Sequence, residues 1–507
     1  MRRLVNLAPL RGSNGVAFGP DGRLYVAEFL AGRISAVDLA RGDVERIVAP
    51  GGPIEAPDDL AFGADGAMYV TDLVPGRVWR RSPAGELTLV ADGIRNPNGI
   101  ACAGDRLFVN EMVPGGRLLE LADGGSRTLT DDLALGNAMQ LGPDGYLYYP
   151  HMLTGEVHRI SPGGGEPELV AERVHEPVAV RFDLGGTLLV VSRDAAGTIT
   201  RIGSGTRTVI NTGVLGMDNA AFDADNRMFV SSYAGGGIAE IRADGSAREV
   251  VPRGLCGPRA VTVDLGGAVH VADHYRLATA ADGGVTTTEL VTFVHGIAAE
   301  GDDLLHFTAQ YGQVRTYERA TRSVRSRAAG LQEPTDLEVR PDGALVVTET
   351  GAGRVIAVGA DDAVSVIADG LGRPSGVTVD DEGRCYVTDE ERGVLYRVDE
   401  SGVIPLVSGL SAPQGVAVVG DEVFVVETGR RRVLGAGRFH GRTREIATDL
   451  PVGPPPRPAP GLFACGLPGV PRPFAGLAAG PDGTLHLAAD GEGTIIHLEV
   501  NADSGTA

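Results

Sequence analysis

Short apolar segments with alternating polarity run along the chain and are separated by polar turns. The first group reads NGVAFGPDGRLYVAEFLAGRISAVDL, from Asn14 to Leu39. Its first apolar segment, GVAF, precedes an Asp-Gly pair, which favours a tight hairpin turn because glycine readily adopts positive φ. Two further segments (LYVAE and RISAVDL) and a fourth (ERIVAP) follow. The pattern predicts four short antiparallel strands and contains no long apolar stripe at helical spacing.

This group of four segments recurs through the chain. Copies begin near Asn14, Asp58, Asn98, Asn137, Val178, Asp218, Arg259, His295, Thr335, Ser375, Gln414 and Ala475. The spacing is about 40 residues, except for the last step of 61 residues from Gln414 to Ala475. Four strands in each repeat are typical of β-propeller blades. The sequence therefore predicts an all-β protein, a β-propeller of twelve four-stranded blades.

The chain ends indicate how the blades close. The last copy stops after its third strand, and the segment from Arg2 to Leu7 resembles a fourth. In one closure, this segment seals a single twelve-bladed ring and protects its sheet edges. In the other, which the usual four to eight blades favour, residues 1–245 and 246–507 form two tandem six-bladed propellers. The N-terminal strand then completes blade six, and the strand from Ala247 to Arg253 completes blade twelve.

Several phrases resemble a known group of propellers. They are NPNGIA from Asn96, GVTVDDEGRCYVTD from Gly376 and MDNAAFDADNRMFVSS from Met217. They resemble the NHL-type repeat and the regucalcin/gluconolactonase-like propellers, and the form GPDGxLYVxE…GRI is similar to virginiamycin B lyase. The resemblance implies the propeller fold. It leaves several activities open, because such folds serve lactonases, lyases, ring-forming synthases and binding modules.

Two positions of each repeat are expected at one mouth of the central channel: the residue before the first strand and the residue ending the second. In the first half, five of six first positions carry Asn or Asp. Oxygen ligands around one axis suit a hard cation such as Ca²⁺ or Mg²⁺. Any one of these residues alone would more simply cap a turn. The predicted metal ligands are Asn14, Glu28, Asp58, Asn98, Asn137 and Asp218.

The resemblance adds expectations for this site. Gluconolactonase-like enzymes hold a divalent ion through Glu, Asn and Asp, where it polarises a carbonyl or activates water. Asn98 corresponds to the Asn of the family's PNGL-type phrase, and Asp58 or Asp218 to its Asp. The leading Glu has no counterpart, because Asn14 occupies that position.

The second half carries different residues at these positions. His295 beside Glu349 or Asp389 would form an acid–base pair, and Arg259 would bind a substrate carboxylate. These four are the predicted catalytic residues. Virginiamycin B lyase-like enzymes also use His and Glu with Mg²⁺, but no repeat here pairs the two directly. The alternative for His295 is a turn residue bonded to the backbone.

The long last step contains a Pro-rich insertion, residues 451–474, which reads PVGPPPRPAPGLFACGLPGVPRPF. It joins a fourth strand to the next first strand and is therefore expected at the mouth. With Phe463, Leu467 and Phe474 it would form a partly apolar lid over the second half. The alternatives are a plain surface loop and a subunit contact.

Composition narrows the classes of partner. The chain has 507 residues, no lysine and a formal charge of −21. This charge argues against nucleic acid and against anionic membranes as partners, and the lack of lysine excludes Schiff-base chemistry on lysine. Four cysteines without a CxxC pair, and no apolar run of signal or membrane length, favour free thiols and a cytoplasmic location.

The resulting expectation is a divalent-metal-dependent propeller enzyme that acts on a small polar or lactone-like metabolite, with lactone hydrolysis of the gluconolactonase type. One alternative is a lyase or ring-forming enzyme of secondary metabolism that uses the His and carboxylate set. The other is a non-catalytic binding or scaffold propeller with a protein partner.

Overall fold

The computed structural model describes residues 1–500 except 123, 204, 282, 292, 310, 454–469 and 471. These residues form twelve four-stranded antiparallel sheets, which confirms the predicted all-β, blade-like architecture. In each sheet the strands follow chain order from an inner to an outer strand. The twelfth sheet is the exception, because the N-terminal strand is its outer strand.

The first six sheets lie between residues 13 and 251. Their strands are Ser13–Phe18, Leu24–Glu28, Arg33–Asp38 and Asp43–Val48; Pro57–Phe62, Met68–Asp72, Arg77–Arg81 and Leu87–Ala91; Pro97–Ala103, Arg106–Glu111, Pro114–Ala122 and Gly125–Ala134; Gln140–Leu141, Leu147–His151, Glu156–Ile160 and Glu168–Ala171; Pro177–Phe182, Leu188–Ser192, Thr198–Gly203 and Thr206–Asn211; Met217–Phe222, Met228–Ser232, Ile238–Ile241 and Ala247–Val251.

The other six sheets begin at residue 258. Their strands are Pro258–Val263, Val269–Asp273, Arg276–Ala281 and Gly284–Leu290; Val294–Glu300, Leu304–Ala309, Gln313–Glu318 and Ser323–Ala328; Pro334–Val339, Leu345–Glu349, Arg354–Val358 and Val364–Ala368; Pro374–Val379, Cys385–Asp389, Val394–Asp399 and Gly402–Ser408; Pro413–Val419, Glu422–Glu427, Arg432–Gly437 and Thr443–Ala447; Leu477–Ala479, Leu485–Ala489, Thr494–Leu498 and Arg2–Arg3.

The Asp-Gly pairs make the turn between the inner and second strands, as predicted. Gly22 has φ +76°, and its N–H donates to the Gly19 carbonyl at 2.9 Å. Oδ1 of Asp21 accepts the N–H of Arg23 at 3.2 Å. Glycine is favoured here because other residues adopt this φ only with strain.

Apolar side chains fill the space between neighbouring sheets. Tyr25 and Ile34 of the first sheet pack in one buried cluster with Leu60 and Met68 of the second. The rings of Tyr25 and Phe62 meet edge to face, with centroids 5.0 Å apart. Burying each large side chain contributes about 1.5–3 kcal/mol, so this layer holds one sheet against the next.

Residues Ala8–Cys256 belong to one compact unit that contains the first six sheets. Each inner strand contacts the inner strands of its neighbours, and the inner strand of the sixth sheet contacts that of the first. The Ser231 hydroxyl donates to the Asn14 carbonyl at 2.5 Å across this junction. Gly15 permits a close approach between the first and second inner strands, because a Cβ there would lie 2.5 Å from the Cα of Asp59.

Met1–Leu7 belongs to the other compact unit, with the described residues from Gly257 onward. Here the Gly476 N–H donates to the Arg259 carbonyl at 2.8 Å, which joins the twelfth sheet to the seventh. The division into domains of residues 1–245 and 246–507 stays a prediction.

For two propellers the sequence pattern predicts that the N-terminal strand completes the sixth sheet and that the strand from Ala247 completes the twelfth. This prediction is wrong. Arg2 pairs with His497 and Arg3 with Ile496, so the N-terminal strand completes the twelfth sheet. The strand Ala247–Val251 stays in the sixth sheet. The physical reason is that Val5, only 1% exposed, is buried beside the last strand, where its carbonyl accepts the Thr494 hydroxyl at 2.6 Å.

The described part of the chain contains two short helical turns, Phe29–Ala31 and Thr350–Ala352. Neither approaches the length needed to cross a lipid bilayer. Most of the predicted lid, including Phe463 and Leu467, lies outside the described residues. Phe474, 1% exposed, packs in a buried cluster with Ala260 and Phe307.

We expect Val5→Ala to lower the free energy of unfolding by about 1–2 kcal/mol, because two buried methyl groups are lost beside the last strand. Leu7→Ala is the matched control, since Leu7 is 46% exposed and should change stability by less than about 0.5 kcal/mol. Urea unfolding of both variants measures the difference. Equal effects would contradict the anchoring role of Val5.

Candidate functional site

In the unit of residues 8–256, a β-bulge places the mouth residues. Pro57 pairs with Asp72 and Leu60 with Val70, and the register shifts between these two pairs. Asp58 and Asp59 therefore lie together in the bulge, and such irregularities re-aim side chains. Five of the six sheets in this unit have a shift at the same place, so the bulge belongs to the repeat.

Two buried carboxyl groups lie near each other at this mouth. Asp58 is 5% exposed and Asp218 is 9% exposed. Burial raises the pKa of Asp218 to about 7, and the Asp59 charge adds to the shift. Burial and then the charge of Asp218 raise the pKa of Asp58 well above its usual range, while a hydrogen bond from Nδ2 of Asn14, at 3.3 Å, opposes this shift.

Asn98 and Asn137 stand beside these carboxyl groups along the ring. Both amide nitrogens contact methionine sulfur: Asn98 to Met112 at 3.2 Å and Asn137 to Met152 at 3.1 Å. Oδ1 of Asn137 accepts the N–H of Ala138 at 2.7 Å. Oδ1 of Asn98 is buried and has no hydrogen-bond partner among the described residues. Asn98 therefore offers an uncommitted oxygen ligand.

A chain of polar contacts crosses the channel below the mouth. Nδ2 of Asn219 donates to Oδ1 of Asp59 at 3.0 Å, and the Arg181 guanidinium donates to Oδ1 of Asn219. Arg181 also donates to the carbonyls of Ala220 and Met139, at 2.7 and 3.1 Å. Burial raises the pKa of Asp59, and the Arg181 charge opposes that rise.

These three inner residues were missed by the sequence analysis. The available signal was the repeat position of Arg181, where the corresponding residues Ala17, Ala61, Ala101 and Ala221 are small and apolar. Beyond Arg181, a pocket of about 460 Å³ opens at the other end of the inner strands. Its lining includes Phe18, Phe62, Phe182 and Phe222. Arg181 therefore lies between the polar mouth and a pocket that is lined in part by aromatic rings.

Glu28, a predicted metal ligand, is engaged elsewhere. It is fully buried, and its carboxylate accepts the N–H of Arg11 at 2.7 Å, Nε of Arg33 at 2.8 Å and the Ser35 hydroxyl at 2.6 Å. The carboxylate thus ties the start of the first inner strand to its own sheet.

The same arrangement recurs wherever the second strand ends in a carboxylate. Each of these seven side chains accepts at least one backbone N–H from the segment that leads into its inner strand. They are Glu28, Asp72, Glu111, Asp273, Glu349, Asp389 and Glu427.

The other unit holds the predicted catalytic residues, and among the described residues their hydrogen bonds go to other partners. Glu349 binds the N–H of Gln332 and Nε of Arg354, at 2.8 and 2.6 Å. Asp389 binds the N–H groups of Gly372 and Arg373, at 2.8 and 3.0 Å.

The His295 ring contacts two carbonyls, those of Thr335 at 3.0 Å and Arg472 at 3.1 Å. Burial, followed by the nearby Arg259 charge, lowers the pKa of His295 to about 3. Arg259 is 1% exposed, and its Nη1 lies 3.7 Å from Oδ2 of Asp490. The geometry thus places His295 against the backbone and Arg259 beside an internal carboxylate.

Two carboxyl groups of this unit were not singled out from the sequence. Asp336 is 8% exposed and accepts the N–H of Val377 at 3.1 Å. Burial raises its pKa to about 8, and burial likewise raises the pKa of Glu338 to about 7. Both lie on the inner strand Pro334–Val339, where Asp336 occupies the repeat position of Asp59.

Comparison with known proteins gives matches to solved structures. A streptogramin B lyase matches at 18% identity and TM-score 0.41, over 57% of this chain and 97% of the other. A virginiamycin B lyase from Staphylococcus aureus, with quinupristin, matches at 17% and 0.39, over 55% and 95%. A calcium-binding regucalcin from Agrobacterium tumefaciens matches at 18% and 0.38, over 45% and 84%. No protein-family model and no curated protein matches the chain. Such identities leave functional side chains free to differ.

We expect Glu111→Gln to lower the free energy of unfolding at pH 7 by about 1–3 kcal/mol, because hydrogen bonds to charged groups are lost. Hydrogen bonds from Arg117 and Arg95 outweigh burial and lower the pKa of Glu111 to about 2. A carboxyl group whose pKa is lowered by folding stabilises the fold at any pH above its pKa in the unfolded chain, near 4.5. This contribution is lost as pH falls toward 2. Unfolding measured from pH 7 to 3 should therefore show the two proteins converging. A constant difference would contradict the assignment.

Proposed function

We propose that the channel mouth formed by Asp58, Asp218 and Asn98 binds a hard divalent cation, Ca²⁺ or Mg²⁺. The observation that supports this best is the pair of buried carboxyl groups, in which the charge of Asp218 raises the pKa of Asp58, together with the uncommitted Oδ1 of Asn98. A cation would offset the repulsion and give the amide oxygen a partner.

The other predicted ligands have different parts in this proposal. Asn14 orients Asp58 through its amide nitrogen. The amide oxygen of Asn137 already accepts the N–H of Ala138. Glu28 is excluded from the ligand set, because its carboxylate is committed to Arg11, Arg33 and Ser35. The proposed set is therefore smaller than the six residues predicted from the repeat.

We further propose that the site acts on a small polar or lactone-like molecule by hydrolysis. When bound, a divalent cation supplies a Lewis acid for a carbonyl oxygen or a water of lowered pKa. With the cation bound, Asp58 and Asp218 would hold it at this mouth through their carboxylates, in the ionised form. The hydrogen bonds that join Arg181, Asn219 and Asp59 lie below this mouth.

The first test is cation binding by calorimetry with Ca²⁺ and Mg²⁺. We expect one site per chain, weakened at least about tenfold by Asp218→Asn, which removes a negative charge, or by Asn98→Ala, which removes an oxygen ligand. Asp225→Asn is the matched control, since its side chain is 80% exposed. Unchanged binding in both site variants would reject the proposed ligands.

Activity is tested on a panel of lactones with purified wild-type protein. Turnover should stop with chelator and fall sharply in Asp218→Asn, while Asp225→Asn keeps it. Cation binding without turnover of any lactone would favour the binding-protein alternative. Turnover that survives chelation would reject the role of the metal.

The raised pKa of Asp218 also predicts a pH dependence of stability. The folded carboxyl keeps its proton up to about pH 7, whereas the unfolded chain loses it near pH 4. The protonated form therefore stabilises the fold at low pH, and this contribution is lost as pH rises through 7.

With chelator present, the wild-type Tm should fall relative to Asp218→Asn between pH 4 and 8, by about 2–4 °C for each kcal/mol. Added Ca²⁺ should restore the wild type more than the variant. Parallel melting curves across this range would contradict the assignment.

A further inference from the structure

A second group of potential metal ligands lies in the fourth sheet and shares no residue with the proposed cation site of Asp58, Asp218 and Asn98. His151 ends the second strand, and Glu156 and His158 lie on the third strand, with His151 directly opposite Glu156. One ligand atom from each of the three residues lies within 4.8 Å of the other two. The hairpin register and the two-residue spacing on one strand bring them to the same face.

The repeat makes this group unusual. The position of His151 holds a carboxylate in seven other sheets, where it accepts backbone N–H groups. In several of these sheets an arginine on the third strand completes the contact, as Arg33 does for Glu28 and Arg354 for Glu349. The fourth sheet has a histidine in place of the carboxylate and an acid opposite it. The fourth sheet therefore lacks the carboxylate that accepts backbone N–H groups in the seven other sheets. Groups that can ligate a metal occupy this position instead.

The histidines are available to a ligand. Nε2 of His151 and Nδ1 of His158 are buried without a hydrogen-bond partner among the described residues. Buried polar atoms normally have partners, and a bound metal ion would supply one.

The carboxylate is already oriented toward the histidines. Oε2 of Glu156 lies 3.1 Å from Nε2 of His158 and accepts the Thr154 hydroxyl at 3.0 Å. The His151 and His158 rings are stacked with centroids 4.4 Å apart. The side chains of His158 and Glu156 are 18% and 34% exposed, which gives an ion a path from solvent.

We propose that His151, Glu156 and His158 form a binding site for a divalent transition-metal ion, with Zn²⁺ as the representative ion. Two imidazoles and one carboxylate suit Zn²⁺ and related ions rather than Ca²⁺ or Mg²⁺. Zn–N and Zn–O bonds of about 2.0–2.1 Å require ligand atoms about 3.3 Å apart. Small rotations of the two rings therefore close the site around the ion. Three protein ligands leave a fourth position for water or another group.

The test is Zn²⁺ titration of the full chain by calorimetry, with bound metal counted after gel filtration. We expect one Zn²⁺ per chain, and at least about a 100-fold loss of affinity in His158→Gln, by analogy with the 10–100-fold loss on removing even an outer partner. Glu156→Gln is the second variant, because its half-exposed side chain can change with little effect on folding. His175→Gln, an exposed histidine outside the group, is the matched control.

Retention of wild-type Zn²⁺ affinity by both His158→Gln and Glu156→Gln would overturn the proposal, as would absence of Zn²⁺ binding by the wild type. Asp218→Asn should keep Zn²⁺ binding, and His158→Gln should keep Ca²⁺ or Mg²⁺ binding. The proposals for the two sites can therefore be rejected independently of each other. Circular dichroism of each variant checks that the sheets remain folded.

Discussion

The buried carboxylates at the ends of the second strands are the interaction on which the rest of the structure depends. Each accepts backbone N–H groups that would otherwise be buried without a partner, at a cost of about 1–3 kcal/mol each. Glu28 holds the N–H of Arg11 in this way, and Asp389 holds those of Gly372 and Arg373. Because this contact fixes where the inner strand begins in these seven sheets, it also positions channel residues that they carry, such as Asp58 and Asn98.

The β-bulge after that point determines which side chains reach the channel. The register shift between Pro57 and Leu60 places Asp58 and Asp59 side by side. Burial raises the pKa of Asp58, Asp59 and Asp218. At Asp59, contacts with Asn219 and Arg181 oppose this rise. The same backbone geometry thus carries side chains that differ from sheet to sheet. In the fourth sheet, His151 replaces the carboxylate and belongs to the second proposed metal site.

Some site residues could be predicted from the sequence and others could not. The repeat predicts Asn14, Asp58, Asn98, Asn137 and Asp218 near one mouth, because their positions follow from strand order. It could not separate them from Glu28, whose residue type also suits a metal but whose carboxylate binds Arg33 and backbone. The same ambiguity affected Glu349 and Asp389, since hydrogen-bond partners are set by neighbouring segments rather than by spacing in one repeat.

The sequence by itself determined the all-β class, the number of sheets and the turns, because alternation, repeat length and Asp-Gly pairs act within a single hairpin or sheet. Only the tertiary structure decided which sheet the N-terminal strand completes, because Val5 and Thr494 are distant in sequence and make their contact through a buried carbonyl. It also decided which polar residues are committed and which are not. Whether a polar side chain has a hydrogen-bond partner depends on its burial, on nearby charges and on groups from other sheets. The sequence of a single repeat does not contain this information.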